Sequence, residues 1–275
     1  MSRDPTGSVI NDWRIGVLEN CSRGKSGLER ILMKRRLAIG DIHGMDEQLE
    51  SLWNWVAPGA TDRVVFLGDY VDRGSGSRAV LEFLFRLHRD PDVDARFLLG
   101  NHERMMLDAR SDARTLDFWL YAGGMETLTS YGVVARDAID SGAWVESIPF
   151  EHWRFLEEVC EPYIDDGDLV FVHGGLASDI GIAEQHETDL LWRRNHGGAL
   201  HASGRRIVCG HTAQHDHVPL VDEGNIVADT YAYGGGPLTC VSIDERIAYQ
   251  QFACGRRRRL CWSHTFEFDE VSVAA

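Results

Sequence analysis

No stretch of this sequence reaches the ~18 uninterrupted apolar residues that a membrane-spanning helix needs, and the first 36 residues lack the apolar core of a secretory signal. The expectation is a cytoplasmic protein with no membrane partner. Paired cysteines are missing too. Cys21, Cys160, Cys209, Cys240, Cys254 and Cys261 are scattered with no Cys-x-x-Cys, which excludes a thiolate metal knuckle or a dense disulfide framework and leaves reduced, packing cysteines. Positive charge is scarce, 28 Lys plus Arg against 43 Asp plus Glu, for a formal net charge of −15. That balance discourages nucleic acid as a partner, because phosphate-backbone binding is driven by Lys and Arg displacing counterions. There is no Pro- or Ser-rich linker and no long internal repeat. What is present, 44% hydrophobic and 26% charged residues, suffices for a full globular core.

Residues 1–35 are polar and glycine-containing with little periodicity, and read as a loosely ordered extension ending in a short helix around Leu28 to Met33. From Arg36 the texture changes. Leu37-Ala38-Ile39 ends in Gly40-Asp41, and Met45, Leu49, Leu52, Trp53 and Val56 then recur at helical spacing. The unit repeats: Val64 to Leu67 ends in Gly68-Asp69 before a stripe of Val80, Leu81, Leu84 and Phe85, and Arg96 to Leu99 ends in Gly100-Asn101 before a helix near Glu103. Alternating strand and helix predicts an α/β fold. The second half is richer in strands. Asp165-Asp166-Gly167 reads as a hairpin turn into Leu169–Val172, Ile207-Val208-Cys209 ends at Gly210-His211, and three further strands surround a bend at Gly234-Gly235-Gly236. One domain over 36–275 is the simplest organisation. The Arg256–Arg259 run reads as an exposed turn, and Trp53, Trp55, Trp119, Trp144 and Trp153 as helix packing.

Five strand ends carry metal-ligand side chains: Asp41 with His43, Asp69, Asn101 with His102, His173, and His211. Loops at the carboxyl ends of strands are where α/β sheets bind ligands. Mixed carboxylate, imidazole and amide donors suit manganese, iron or zinc. A single strand-end Asp is often only a helix cap and a lone His often a hydrogen-bonded loop residue. Five in order, on glycine-flanked strand ends, are not explained as independent caps.

The segments Gly40-Asp41-Ile42-His43-Gly44, Gly68-Asp69-Tyr70-Val71-Asp72-Arg73-Gly74, Gly100-Asn101-His102-Glu103, His173-Gly174-Gly175 and Gly210-His211-Thr212 resemble the metallophosphoesterase signature. Within it they are similar to the phosphoprotein phosphatase branch and its bacterial and phage serine/threonine phosphatases. The resemblance spans roughly 36 to 252 and leaves the tail after about 255 unmatched. It implies a central β-sandwich of two mixed sheets flanked by helices. It also implies two divalent cations, manganese first with iron or zinc as alternatives: Asp41, His43 and Asp69 on one, and bridging Asp69 with Asn101, His173 and His211 on the other. A hydroxide between the metals is then the implied nucleophile, His102 the general acid supported by Asp72, and Arg73 and Arg194 the phosphate ligands, with Tyr233 lining the pocket. Arg194 rather than Arg193 follows from its alignment one variable residue after the family's Trp.

The resemblance implies a phosphomonoesterase acting on phosphorylated protein or a small phosphoester, foremost a protein serine/threonine phosphatase. The alternative is a symmetrical dinucleoside tetraphosphatase, a relative that usually carries Asn or Ala at Asp72, Asp at Glu103 and Trp at Thr212. A catalytically silent binding protein would have lost a ligand or the acid, and all seven residues from Asp41 to His211 are present. A nuclease is disfavoured by the acidic balance.

Overall fold

The computed structural model describes residues 34–263 and 265–271. The extension expected over 1–35 lies outside them except for its last two residues, as does the helix expected around 28–33. β1 (Arg36–Ile39), β2 (Arg63–Phe66) and β3 (Asp94–Phe97) run parallel, connected by α1 (Asp46–Val56) and α2 (Ser77–Arg89). α3 (Asn101–Asp108), α4 (Ala113–Trp119), a wider helical turn at Leu120–Gly124 and α5 (Met125–Ser130) follow β3.

The remaining strands build a second sheet and then complete the first. β4 (Tyr163–Asp166) and β5 (Leu169–Val172) form the expected hairpin, after which come α6 (Glu187–Trp192), β6 (Arg206–Cys209), β7 (Leu220–Val221) and β8 (Asn225–Val227). β9 (Leu238–Ser242), β10 (Ile247–Gln251), β11 (Arg257–Trp262) and β12 (Phe268–Val271) return to the first sheet. The sheet orders are β12-β11-β10-β9-β1-β2-β3 and β4-β5-β6-β8-β7, both mixed.

Strand alternation divides the core. Ala38, Val65 and Leu67 face Leu169, Phe171, Val208 and Ile226 between the sheets, while Leu37, Ile39, Val64 and Phe66 face the helices and meet Leu49, Leu52, Val80, Leu81 and Leu84. Strands buried on both faces read as continuous apolar runs, which is why β1, β2 and β5 are conspicuous in the sequence. Their carboxyl ends deliver the polar loops to one edge of the sandwich.

The Arg256–Arg259 run is not a turn: Arg257, Arg258 and Arg259 lie in β11, paired with Gln251, Gln250 and Tyr249. Their guanidinium groups find partners on the sheet. That of Arg257 lies over the Trp55 ring at 5.3 Å and that of Arg258 donates to Gln250 Oε1 at 2.7 Å, so a basic run is accommodated in an ordinary strand. Cys160, Cys209, Cys240 and Cys254 are free thiols, whereas Cys261 is disulfide-bonded rather than reduced. Among the described residues no helix is long and apolar enough to cross a membrane.

Phe66 stacks on Phe97 at 5.2 Å and on Trp53 at 6.2 Å, fully buried between β2 and the helices. Phe66→Ala is expected to cost about 3–5 kcal/mol, read from the urea unfolding midpoint. Tyr121→Ala, at a side chain 90% exposed, should leave that midpoint unchanged.

Candidate metal centre

The strand-end loops adopt backbone that side chains ordinarily avoid. His43, Asp69, Asp72, Arg73, His211 and Tyr231 all have φ between 46° and 74°. Left-handed non-glycine residues cost of order 1–3 kcal/mol each and persist only where the surroundings over-determine them. Here a single carboxylate does much of that work. Glu103, fully buried at the start of α3, accepts the backbone N–H groups of Asp69 (2.8 Å), Tyr70 (2.7 Å), Val71 (3.1 Å) and its own capping position Gly100 (3.0 Å). Burial, and then the charge of Asp69, push its pKa up to about 8. The four N–H donors act in the opposite direction and favour the ionised form. Two glycines are needed for close approach: a Cβ at Gly210 would lie 2.1 Å from Asp41 Oδ1, and one at Gly68, φ +94°, 2.8 Å from His173 Nδ1.

Asn101 Oδ1 lies 2.8 Å from His173 Nε2 and 3.0 Å from His211 Nδ1, and His173 Nε2 is 3.3 Å from Asp69 Oδ1. The other ring nitrogens are committed. His173 Nδ1 faces Leu67 O at 2.8 Å and His211 Nε2 faces Trp192 O at 3.2 Å, so those atoms carry the protons. Four lone-pair atoms are thus turned toward one another, an arrangement that a cation relieves. Nearby, His43 donates from Nδ1 to Val71 O (2.8 Å) and turns Nε2 toward Asp69 Oδ2 (3.4 Å). Asp69 touches both groups. Two clusters of potential donors result, His43 with Asp69 and His102, and Asp69 with His173 and His211.

Asp41 stands slightly apart from these clusters. Its carboxylate accepts the backbone N–H of His211 at 3.1 Å and lies beside the buried Asp229, which itself accepts the Tyr231 N–H at 2.9 Å. Burial, then the charges of Asp229 and Asp69, push Asp41 well above the usual carboxylate range, and burial pushes Asp229 up to about 6. Three crowded carboxylates again describe a site short of positive charge. Carboxylate, imidazole and amide oxygen donors, with the ligand-type histidines neutral, fit divalent cations.

His102 differs from its neighbours. Burial drives His43 well below 6.5, lowers His173, and lowers His211 to about 4. For His102 burial is outweighed by the charge of Asp69 and by the hydrogen bond and charge of Asp72, and its pKa is raised. His102 Nδ1 donates to Asp72 Oδ2 at 2.6 Å. Asp72, fully buried, also accepts Trp119 Nε1 at 2.9 Å and Thr127 Oγ1 at 2.7 Å.

Arg73 reaches across the site. Its Nη1 donates to His43 Nε2 (2.8 Å) and its Nη2 to His102 Nε2 (2.9 Å), while its guanidinium lies 4.1 Å over the Tyr233 ring. Arg194 is exposed and close enough to lower the His211 pKa, whereas Arg193 is tied to Asp189 at 2.8 Å. Trp119 and Thr127 are the functional partners that sequence reasoning assigns elsewhere, Trp119 to packing and Thr127 to nothing. Glu103 stands there in the signature segment and as a difference between relatives, without a structural role.

Residues 34–241 match the calcineurin-like phosphoesterase family. Over 140 residues the chain is 29% identical to the symmetrical bis(5'-nucleosyl)-tetraphosphatase of Burkholderia pseudomallei strain 668, covering 51% of this chain and 42% of that one. Over 173 residues it is 28% identical to serine/threonine-protein phosphatase PP1-1 of Saccharomyces cerevisiae, covering 56% and 47%. The matches therefore span less than half the length of these curated relatives. Among solved structures, the cold-active protein-tyrosine phosphatase of a psychrophilic Shewanella sp. superposes with a TM-score of 0.56 at 20% identity, covering 82% of this chain and 80% of that one. That likeness speaks for the fold alone.

Glu103→Gln replaces an acceptor oxygen by a donor facing backbone N–H groups. It is expected to cost at least about 2 kcal/mol in urea unfolding and to reduce bound metal measured by elemental analysis. Full metal content at unchanged stability would show that Glu103 does not hold the loops.

Proposed function

The chain belongs to the calcineurin-like phosphoesterase family, and on that footing we propose that it is a metal-dependent phosphomonoesterase, foremost a protein serine/threonine phosphatase. In this reading Asp41, His43 and Asp69 hold one divalent ion, and Asp69, Asn101, His173 and His211 the other, with manganese the first choice. Two such ions, when bound, supply a lowered water pKa and offset the charge of the phosphoryl oxygens. The working domain is residues 36–275.

The single observation that carries the assignment is what faces the second ring nitrogen of four histidines. Backbone carbonyls accept from His43, His173 and His211 and leave each a lone pair for a ligand role, whereas the Asp72 carboxylate accepts from His102 and favours the imidazolium, the form an acid needs. His102 is that acid. Asp72 fixes its Nδ1–H, so Nε2 is the atom that delivers a proton to the leaving oxygen. In the free protein Arg73 Nη2 faces that nitrogen. With the guanidinium drawn onto a phosphate, Nε2 is free to take up a proton from solvent, and the imidazolium so formed delivers that proton to the leaving oxygen. Arg73 and Arg194 grip the phosphate oxygens with planar forks, and Tyr233 supports Arg73 from beneath.

Asp72, Glu103 and Thr212 favour the phosphatase reading, since the tetraphosphatase relatives usually carry Asn or Ala, Asp and Trp at these positions. The Burkholderia relative favours the second reading, a symmetrical dinucleoside tetraphosphatase. The net charge of −15 suits a phosphate on a neutral or basic carrier and not nucleic acid, and we place the protein in the cytoplasm without a membrane partner.

Turnover of a phosphoserine peptide, a phosphotyrosine peptide and diadenosine tetraphosphate by the manganese-loaded protein tests the substrate class. Tenfold or greater preference for the tetraphosphate overturns our choice. His102→Asn is expected to lose about 10²-fold or more in kcat while retaining its metal, and Asp69→Asn to lose both, with elemental analysis as the check. Because the raised His102 pKa keeps the acid protonated to higher pH, activity should fall as pH rises through that value. Asp72→Asn removes two causes of the rise, so the alkaline limb of the kcat profile should move to lower pH.

A further inference from the structure

We infer that Thr212 is a positioning residue for Arg194, holding the phosphate grip to the same loop that carries the ligand-type His211. The inference rests on the reading of Arg194 as a phosphate ligand.

Arg194 lies on a short strap between the end of α6 and Asn195. The strap is attached at both ends to consecutive residues of one loop. At its start the carbonyl of Trp192 accepts from His211 Nε2 at 3.2 Å. At its end the backbone N–H of Asn195 donates to Thr212 Oγ1 at 2.9 Å, a buried bond, with Thr212 only 7% exposed. Asn195 is then fixed on its far side, its amide donating to Asn225 Oδ1 (2.8 Å) and its carbonyl oxygen accepting from the Gly197 N–H (2.9 Å).

Within the strap the two arginines differ. Arg193 pairs with Asp189 on the surface of α6. Arg194 has no hydrogen bond or ion pair with a described residue, so the anchored backbone sets the point from which its side chain reaches. The Thr212 hydroxyl, accepting the N–H of the next residue, is one side-chain anchor of that point. Thr212 is itself held in a tight bend, its N–H on Gly210 O at 2.6 Å, around His211 in the left-handed conformation. Movement of the His211 loop would accordingly be transmitted to Arg194.

The test is a double-mutant cycle on the manganese-loaded protein, with inorganic phosphate as the competitive probe and p-nitrophenyl phosphate as the substrate. Thr212→Val removes the hydroxyl at nearly constant shape. It is expected to raise KM and the phosphate inhibition constant about 5–10-fold, the effect of one buried hydrogen bond, with a smaller change in kcat. Thr212→Ser should restore both constants. In an Arg194→Ala background Thr212→Val should add nothing, because the group it positions is gone. Additive effects, or loss of metal in Thr212→Val by elemental analysis, would overturn the inference. An Arg194→Ala protein with an unchanged phosphate constant would instead overturn the underlying reading of Arg194. Unfolding midpoints accompany each variant, and if Thr212→Val does not fold, Thr212→Ala enters the same cycle under the same criteria.

Discussion

A buried carboxylate that gathers four backbone N–H groups is the constraint on which the centre depends. Glu103 joins the first turn of α3 to the loop after β2, and that loop carries Asp69, Asp72 and Arg73 in conformations the chain would otherwise leave. The interaction exchanges conformational freedom for precise placement of groups whose chemistry depends on distance. Its location also explains why the asparagine and histidine that follow Gly100 are so well aimed: they begin a helix whose capping residue is locked to the neighbouring strand end.

Burial acts on the four histidines of the centre as one common force, and local partners decide the outcome. Carbonyl groups of Val71, Leu67 and Trp192 hold three rings in a chosen tautomer without lending charge. Asp72 lends charge to the fourth. Trp119 and Thr127 donate to the same carboxylate from behind and hold it in place. The same side chain thus serves two purposes, according to whether a neutral dipole or a carboxylate stands at its second nitrogen.

Much of this is legible in the sequence. β1, β2, β5 and β6 announce themselves as short apolar runs, and the ligand-type residues sit where those runs stop. Of the two neighbouring arginines, Arg193 pairs with Asp189 one helical turn back. What is not legible depends on side chains meeting across the fold. Trp119 and Thr127 reach Asp72 from helices 47 and 55 residues further along the chain, and no local pattern marks an indole as a donor to a carboxylate. The arginines of β11 mislead for a related reason. A charge count ignores what a guanidinium can stack on: those of Arg257 and Arg258 lie over Trp55 and Phe252 and let a basic run enter a sheet.

The central position of β1 has a consequence for how the molecule is made. β1 pairs on one side with β2 and on the other with β9, so Leu37 is opposite Ser242, about two hundred residues away along the chain. Such a long loop must close before that pairing contributes any stability, which slows assembly. On a ribosome β1 must wait for β9 to emerge, with one strand edge uncovered until then. Asp41, at the end of β1, therefore acquires its final surroundings only after β9 has been made, so the centre is completed by the last of its strands and not by the first.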